Sequence, residues 1–295
     1  MRVRDSKWRE MSASRIRSTL EAIGAIDPNG VDLFSDRTRD RTVPVWRDNT
    51  SGVIFIEDFF VGDDEYSSGN YRGTSQEPTF EDLSDTRRRV EQFRPLYYGK
   101  KVVDFGCGAG TFLRSIQKEA RTLQGVELQE SYRDGLLGDG IECFVDISEC
   151  SEANVLFMFH VLEHLPDPLP ILRQALDLIH ASHGAVVIEV PHANDFLITQ
   201  VKCQPFINFT LWSQHLILHT RDSLQRLLSA AGFAEISIFG EQRYGLSNHL
   251  RWLSEGLPGG HLGALSAIET QQLRHEYKNT LAAIDATDTL IAVAR

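Results

Sequence analysis

Residues 102–113 read Val-Val-Asp-Phe-Gly-Cys-Gly-Ala-Gly-Thr-Phe-Leu. A short apolar run passes into three alternating glycines. Beyond them Phe112, Leu113 and Ile116 fall on one side of a helix. Gly106, Gly108 and Gly110 let the chain turn tightly and let a ligand approach the backbone, because no Cβ intervenes. Strand, glycine turn and helix in that order form the opening unit of a parallel sheet. The rhythm continues. Strands are expected at 123–127, 141–145, 155–159, 184–190, 234–239 and 289–294, with helices at 110–120, 131–137, 170–179 and 221–231. Seven strands alternating with helices predict an α/β fold built on a mainly parallel sheet with helices on both faces.

The flanks are less regular. Residues 1–95 read as an N-terminal extension, positioned to cover the site formed by residues 96–295. In it, a helix is expected from Ser12 to Ile23, with Ser12 or Ser14 as its cap. A hairpin is expected at 43–60, where two apolar runs flank Asp48-Asn49-Thr50-Ser51-Gly52. An acidic surface loop is expected at 61–82 and a helix at 86–93. The strand–helix rhythm lapses at 191–220 and again at 244–288, which read as cap segments. The second holds Trp252, a Pro-Gly-Gly-His turn at 258–261 and a helix from Leu265 to Tyr277.

With a formal net charge of -11, the chain lacks the overall basic balance of a general nucleic-acid binder. The N-terminus has no apolar signal core and no stretch reads as a membrane span, so a cytoplasmic protein without membrane insertion is expected. Cys107, Cys143, Cys150 and Cys203 form no CxxC pair, and the ten histidines contain no HExxH, so no metal is assigned. A homo-oligomer is left open.

The glycine spacing identifies the ligand class. A dinucleotide fingerprint is GxGxxG; here it is GxGxG, with Asp104 two residues before the first glycine. A carboxylate there suits a positive ammonium rather than a pyrophosphate, which is what the amino-acid tail of S-adenosylmethionine presents. Glu127, at the end of the second strand, can accept hydrogen bonds from both ribose hydroxyls. Asp146, after the third strand, suits the adenine amino group, with Ile147 covering the ring. Cys107, within the loop, and Leu128, beside Glu127, complete the expected cofactor contacts.

These phrases resemble the class I S-adenosylmethionine-dependent methyltransferases over residues 100–190. Val102–Gly110 is similar to the family's glycine motif, Gly125–Leu128 to its ribose motif, and Phe157–Pro168 to the phrase after the fourth strand in many small-molecule members. The resemblance implies a Rossmann-like sheet with an antiparallel last strand. It also implies the methionine, ribose and adenine roles for Asp104, Glu127 and Asp146, and methyl transfer as the activity.

The acceptor side rests on histidines and on the caps. His192, after the fifth strand, is read as a general base or a loop anchor, with Glu189 available to orient it. His160 would touch cofactor or acceptor, or would position the loop. His160 and His164 share a face only if their stretch is helical. His215 is a third base candidate. His164, Trp212, Arg243, Tyr244, Asn248, His249 and Trp252 supply hydrogen bonds, charge and aromatic wall for a sugar or similarly polar small molecule, or else form cap core.

The C-terminal part resembles methyltransferases of bacterial surface-polysaccharide and sugar-modifying pathways. The stretch Arg39–Phe60 is similar to the opening of sugar C-methyltransferases. That opening carries a cysteine zinc site, and this chain has no cysteine before Cys107. The preferred reading is O-methylation of a sugar, nucleotide sugar or glycan. The alternatives are N- or O-methylation of a non-sugar metabolite, and a methyltransferase-like binding protein without turnover.

Overall fold

The computed structural model describes residues 15–57, 59–68 and 79–295. Its strands in chain order are β1 (Val31–Ser35), β2 (Val45–Asp48), β3 (Ile54–Phe55), β4 (Lys101–Phe105), β5 (Thr122–Val126), β6 (Glu142–Phe144), β7 (Val155–Phe159), β8 (Ala185–Pro191), β9 (Ile217–Leu218), β10 (Ile236–Glu241) and β11 (Thr289–Ala294). Seven make the main sheet, in the order β10-β11-β8-β7-β4-β5-β6. β4 to β8 run parallel, and β11 lies antiparallel between β8 and β10. This is the Rossmann-like arrangement expected from the sequence.

Period-two alternation divides the sheet between two cores. Leu156, Met158, Val186, Ile188, Val190, Leu290, Ala292 and Ala294 face one core, which contains residues of helices Pro168–His180 and Arg221–Ala231. Val155, Phe157, Val187 and Ile291 face the other, with residues of helices Phe80–Tyr97 and Thr111–Ile116. Among the described residues no helix is long and apolar enough to cross a membrane.

From β4 the chain winds outward through β5 and β6, then returns to pair β7 with the other side of β4. The carboxyl ends of β4 and β7 therefore flank a topological switch point, where open α/β sheets place their ligands.

A smaller antiparallel sheet has the order β1-β2-β3-β9. β2 and β3 form the expected hairpin. β9 joins it through Ile54 opposite Leu218, tying residues 191–220 to the N-terminal segment.

Several local expectations are corrected. The N-terminal helix is Ile16–Ala22 with Arg15 at its cap, and the proposed caps Ser12 and Ser14 lie outside the described residues. The expected 61–82 loop contains a helix, Asp63–Ser68, and residues 69–78 lie outside the described part. The 86–93 helix extends to Phe80–Tyr97. A reciprocal capping box between Thr79 and Asp82 starts it earlier than the apolar spacing suggested. The helix placed at Leu265–Tyr277 begins later, at Gln271, where the Thr270 hydroxyl accepts from the Leu273 amide. An additional helix, Leu246–Glu255, fills part of the second cap segment.

Candidate active site

Gly106, Gly108 and Gly110 all adopt positive φ, at 73°, 54° and 71°. A Cβ at Gly106 would come within 2.5 Å of Val161 Cγ2, and one at Gly110 within 2.3 Å of Leu136 Cδ2. The loop is thus both strained for other residues and sterically closed to them. It folds onto the end of β5, where the Gly106 and Cys107 amides donate to the Val126 carbonyl at 2.8 and 3.2 Å.

The Glu127 carboxylate clamps this turn from the other strand. One oxygen accepts from the Gly108 amide at 2.8 Å and the other from the Gln129 amide at 2.9 Å. Arg133 donates to the Glu127 and Leu128 carbonyls. The Cys107 thiol lies 3.8 Å from that of Cys143. Asp146 caps a 3-10 turn, its side chain accepting from the Ser148 amide at 2.8 Å, and Ile147 beside it is buried.

Asp104 is buried, and no described residue donates a hydrogen bond to its carboxyl group. Burial pushes its pKa up to about 7, against the pull of Arg89. A buried carboxyl without a protein donor, beside a glycine-rich loop and the Glu127 carboxylate, fits the ammonium and ribose of S-adenosylmethionine. The residues present therefore match the group. The sequence model of the methyltransferase-domain family matches residues 76–238, more than half of the chain. This chain belongs to the methyltransferase-domain family.

Part of the methyltransferase is similar to ubiquinone biosynthesis O-methyltransferases. It is 32% identical to that of Vibrio parahaemolyticus over 121 residues, covering 33% of this chain and 52% of that protein. Likeness to the Escherichia coli protein is 28% over 94 residues, 28% of this chain and 39% of that one. The match spans about half the length of these relatives, or less. Among solved structures, a methyltransferase from Archaeoglobus fulgidus is 20% identical with a TM-score of 0.47, over 77% of this chain and 96% of that one. Magnesium protoporphyrin IX methyltransferase from Synechocystis is 12% identical with a TM-score of 0.45, over 79% and 97%.

The other flank of the switch point is the turn after β7. His160 takes a left-handed conformation, φ 55°, with its amide bonded to the Glu189 carbonyl at 2.9 Å. Only the 3-10 turn Leu162–His164 follows, so His160 and His164 do not share a helical face. Both nitrogens of the His160 ring are engaged. Arg243 Nη1 donates to Nε2 at 3.1 Å, and because arginine cannot accept, Nδ1 carries the proton, 3.1 Å from Glu163 Oε1. Burial, then the Arg243 and Arg89 charges, hold this imidazole neutral, well below the usual histidine range.

A buried charge network anchors this region. Glu189 lies on the same sheet face as Val187, towards helix Phe80–Tyr97. Its carboxylate accepts from Arg88 Nη1 and Nη2 at 2.9 and 3.0 Å, and from Arg89 Nε and Nη2 at 2.9 and 2.7 Å. Glu189 therefore serves the arginines and does not orient His192. Asp85 on the same helix accepts from Arg243 Nε at 2.9 Å. Neither arginine of the pair nor Asp85 was singled out from sequence. Their only signal was an Asp-Thr-Arg-Arg-Arg run on a helix facing a strand with an inward acid.

His192 lies apart from this assembly. It is buried, its Nδ1 donates to the Thr287 carbonyl at 2.9 Å, and its amide bonds the Asp288 carbonyl at 3.0 Å. Burial lowers its pKa to about 4. It contacts the turn before β11 and His219, as a loop anchor would.

Three more expected pocket residues are used for packing. The Asn248 side-chain Oδ1 accepts from the Gly259 and Gly260 amides, folding the Pro-Gly-Gly-His turn. His249 bonds the Tyr277 hydroxyl at 2.7 Å and stacks on Phe196. Trp252 is 3% exposed and packs with Leu197, Cys203, Phe206 and Phe209. Tyr244 adjoins Arg243 and His261 at a surface cleft with Asp85.

His164, Trp212 and His215 do come together, with ring centroids 5.1–5.9 Å apart. Tyr66 adds an edge contact to His164 at 5.9 Å.

Proposed function

We propose that this methyltransferase methylates a hydroxyl oxygen of a small polar acceptor, a sugar, nucleotide sugar or bacterial glycan. The observation that carries the reading is the cluster Tyr66, His164, Trp212 and His215 at the end of β7. It adjoins Val161, the residue that contacts the glycine loop. Flat ring faces with polar nitrogens at their edges suit a sugar, whose apolar C–H faces stack while its hydroxyls bond.

Donor placement follows from the chain's own groups. Asp104 receives the ammonium, Glu127 exchanges backbone amides for the ribose hydroxyls, and Asp146 and Ile147 border the adenine. The donor supplies an electrophilic sulfonium methyl, so the protein's part is alignment and exclusion of water. Arg243 and Glu163 fix the His160 ring and give it a positioning role. The handling of the hydroxyl proton belongs to the Glu163–His164–His215 group.

The division into an extension at 1–95 and a methyltransferase body with caps at 191–220 and 244–288 belongs to the same proposal. Tyr66 brings the extension over the acceptor side, and Trp212 and His215 come from the first cap.

A second reading is methylation of a non-sugar phenolic hydroxyl, favoured by the likeness to ubiquinone biosynthesis O-methyltransferases. The test is labelled methyl transfer from S-adenosylmethionine by the full chain to nucleotide sugars, glycans, catechols and amines. Label on a sugar oxygen supports the first reading. Label confined to phenols replaces it with the second, and label confined to amines removes both.

A further inference from the structure

Glu163 and His164 lie 50 residues before the segment that carries Gln214 and His215, yet the two are stitched together. The Leu216 amide donates to the Glu163 carbonyl at 2.7 Å, and His164 Nδ1 donates to the Gln214 carbonyl at 2.8 Å. As a result one potential ligand atom from each of Glu163, His164 and His215 lies within 4.8 Å of the others.

Two of these side chains present unanswered polar atoms. Glu163 is 0% exposed; its Oε1 accepts from His160, while Oε2 is buried with no hydrogen-bond partner. His215 Nδ1 is likewise buried without a partner. A buried polar atom left unsatisfied costs about 1–3 kcal/mol. Two such atoms on residues of one close group suit a ligand that accepts electron pairs from both.

His164 supplies the accompanying support. Its Nδ1–H bond to a backbone carbonyl places the lone pair on Nε2 and holds the ring, the arrangement that ligating imidazoles use. The neighbouring cations Arg243 and Arg89 are already matched by Asp85 and Glu189.

We propose that Glu163, His164 and His215 form a binding site for a divalent transition cation of the zinc class. Two imidazoles and one carboxylate match its nitrogen and oxygen preference. A tetrahedral shell with bonds of about 2.0–2.1 Å needs ligand atoms about 3.3 Å apart, which is within reach of small side-chain rotations from the present spacing. Three protein ligands leave one position for an oxygen from outside the chain. Beside the glycine loop, that position suits an acceptor hydroxyl, whose proton such a cation makes easier to lose. The binding claim stands independently of which acceptor is methylated.

The test is titration of the untagged, chelator-treated full chain with Co²⁺, read by its visible ligand-field absorption, and competition with Zn²⁺. One cation per chain is expected, with the intense absorption of a low-coordinate nitrogen and oxygen site, displaced by Zn²⁺. Affinity should fall at least about tenfold in both Glu163→Gln and His215→Ala. A wild-type spectrum that stays that of aqueous cobalt overturns the proposal, whether or not the variants fold. So does unchanged affinity in folded His215→Ala.

Discussion

The proposed donor and acceptor sides of the site are built by different means. On the donor side, Asp104, the glycine loop, Glu127 and Asp146 fall within one continuous stretch, and the clamp is a carboxylate on two backbone amides. On the acceptor side, helix Phe80–Tyr97, the turn after β7, Glu189, the His215 segment and Arg243 meet from five places. They are joined by bonds that span 83, 101 and 158 residues. Backbone geometry holds the first, and it forms once neighbouring strands pair. Mutually dependent side-chain charges hold the second, and they become useful only after the sheet and its covering helix are assembled. Damage on the donor side should therefore stay local, whereas damage on the acceptor side should spread.

The largest effect should come from breaking that dependence. Glu189→Ala takes away the one carboxylate that Arg88 and Arg89 share at the buried end of the network, leaving Arg88 with Asp85 alone, and should destabilise the fold by about 3 kcal/mol in denaturant titrations. A loss below about 1 kcal/mol would mean that the network does not hold the acceptor side.

Next is the glycine loop. Gly110→Ala forces a Cβ into Leu136 at a φ of 71°, and should cost about 1–3 kcal/mol. It should also weaken donor binding by calorimetry. An alanine variant with native stability and affinity would contradict the tight-turn account.

A smaller, pH-dependent effect belongs to Asp104. Its folded carboxyl titrates at about 7 against an ordinary 3.8, so the folded chain keeps a proton that the unfolded chain has lost across that window. Stability of the unliganded protein should fall as pH rises from the lower value to the higher. Donor affinity should move the opposite way, rising by up to about tenfold per unit towards pH 7, because the ammonium needs the anion. Asp104→Asn should flatten both profiles. A wild-type affinity that does not vary below pH 7 would remove Asp104 from the donor site.

The smallest effect on catalysis is expected at His192. His192→Ala should cost about 1 kcal/mol through the lost bond to Thr287 while changing turnover less than His215→Ala does. A turnover loss larger than that of His215→Ala would restore His192 as the base.

Near-continuous apolar runs in Val155–Phe159 and Ala185–Pro191 specify strands buried on both faces, and the glycine spacing specifies the turn after β4. Those patterns are local, so the sheet, the glycine turn and the methyltransferase family were all legible in the chain itself. The caps that set helix starts, Thr79 with Asp82 and Thr270, are local too, but they sit outside the apolar rhythm. His192 and Trp252 mark the limit. A histidine after a strand and a tryptophan in an insertion look alike whether they face a pocket or a core, and only the neighbours decide.

Residue order by itself thus determined what repeats along the backbone: the strands, the turns and the glycine loop at the switch point. Tertiary structure alone decided which charged groups are buried together. It turned Glu189 towards Arg88 and Arg89, Arg243 towards His160 and Asp85, and Glu163 and His164 towards His215. The physical reason is that a buried charge or imidazole is stable only beside its partner, and these partners lie tens of residues away, brought within reach by packing that no local pattern encodes.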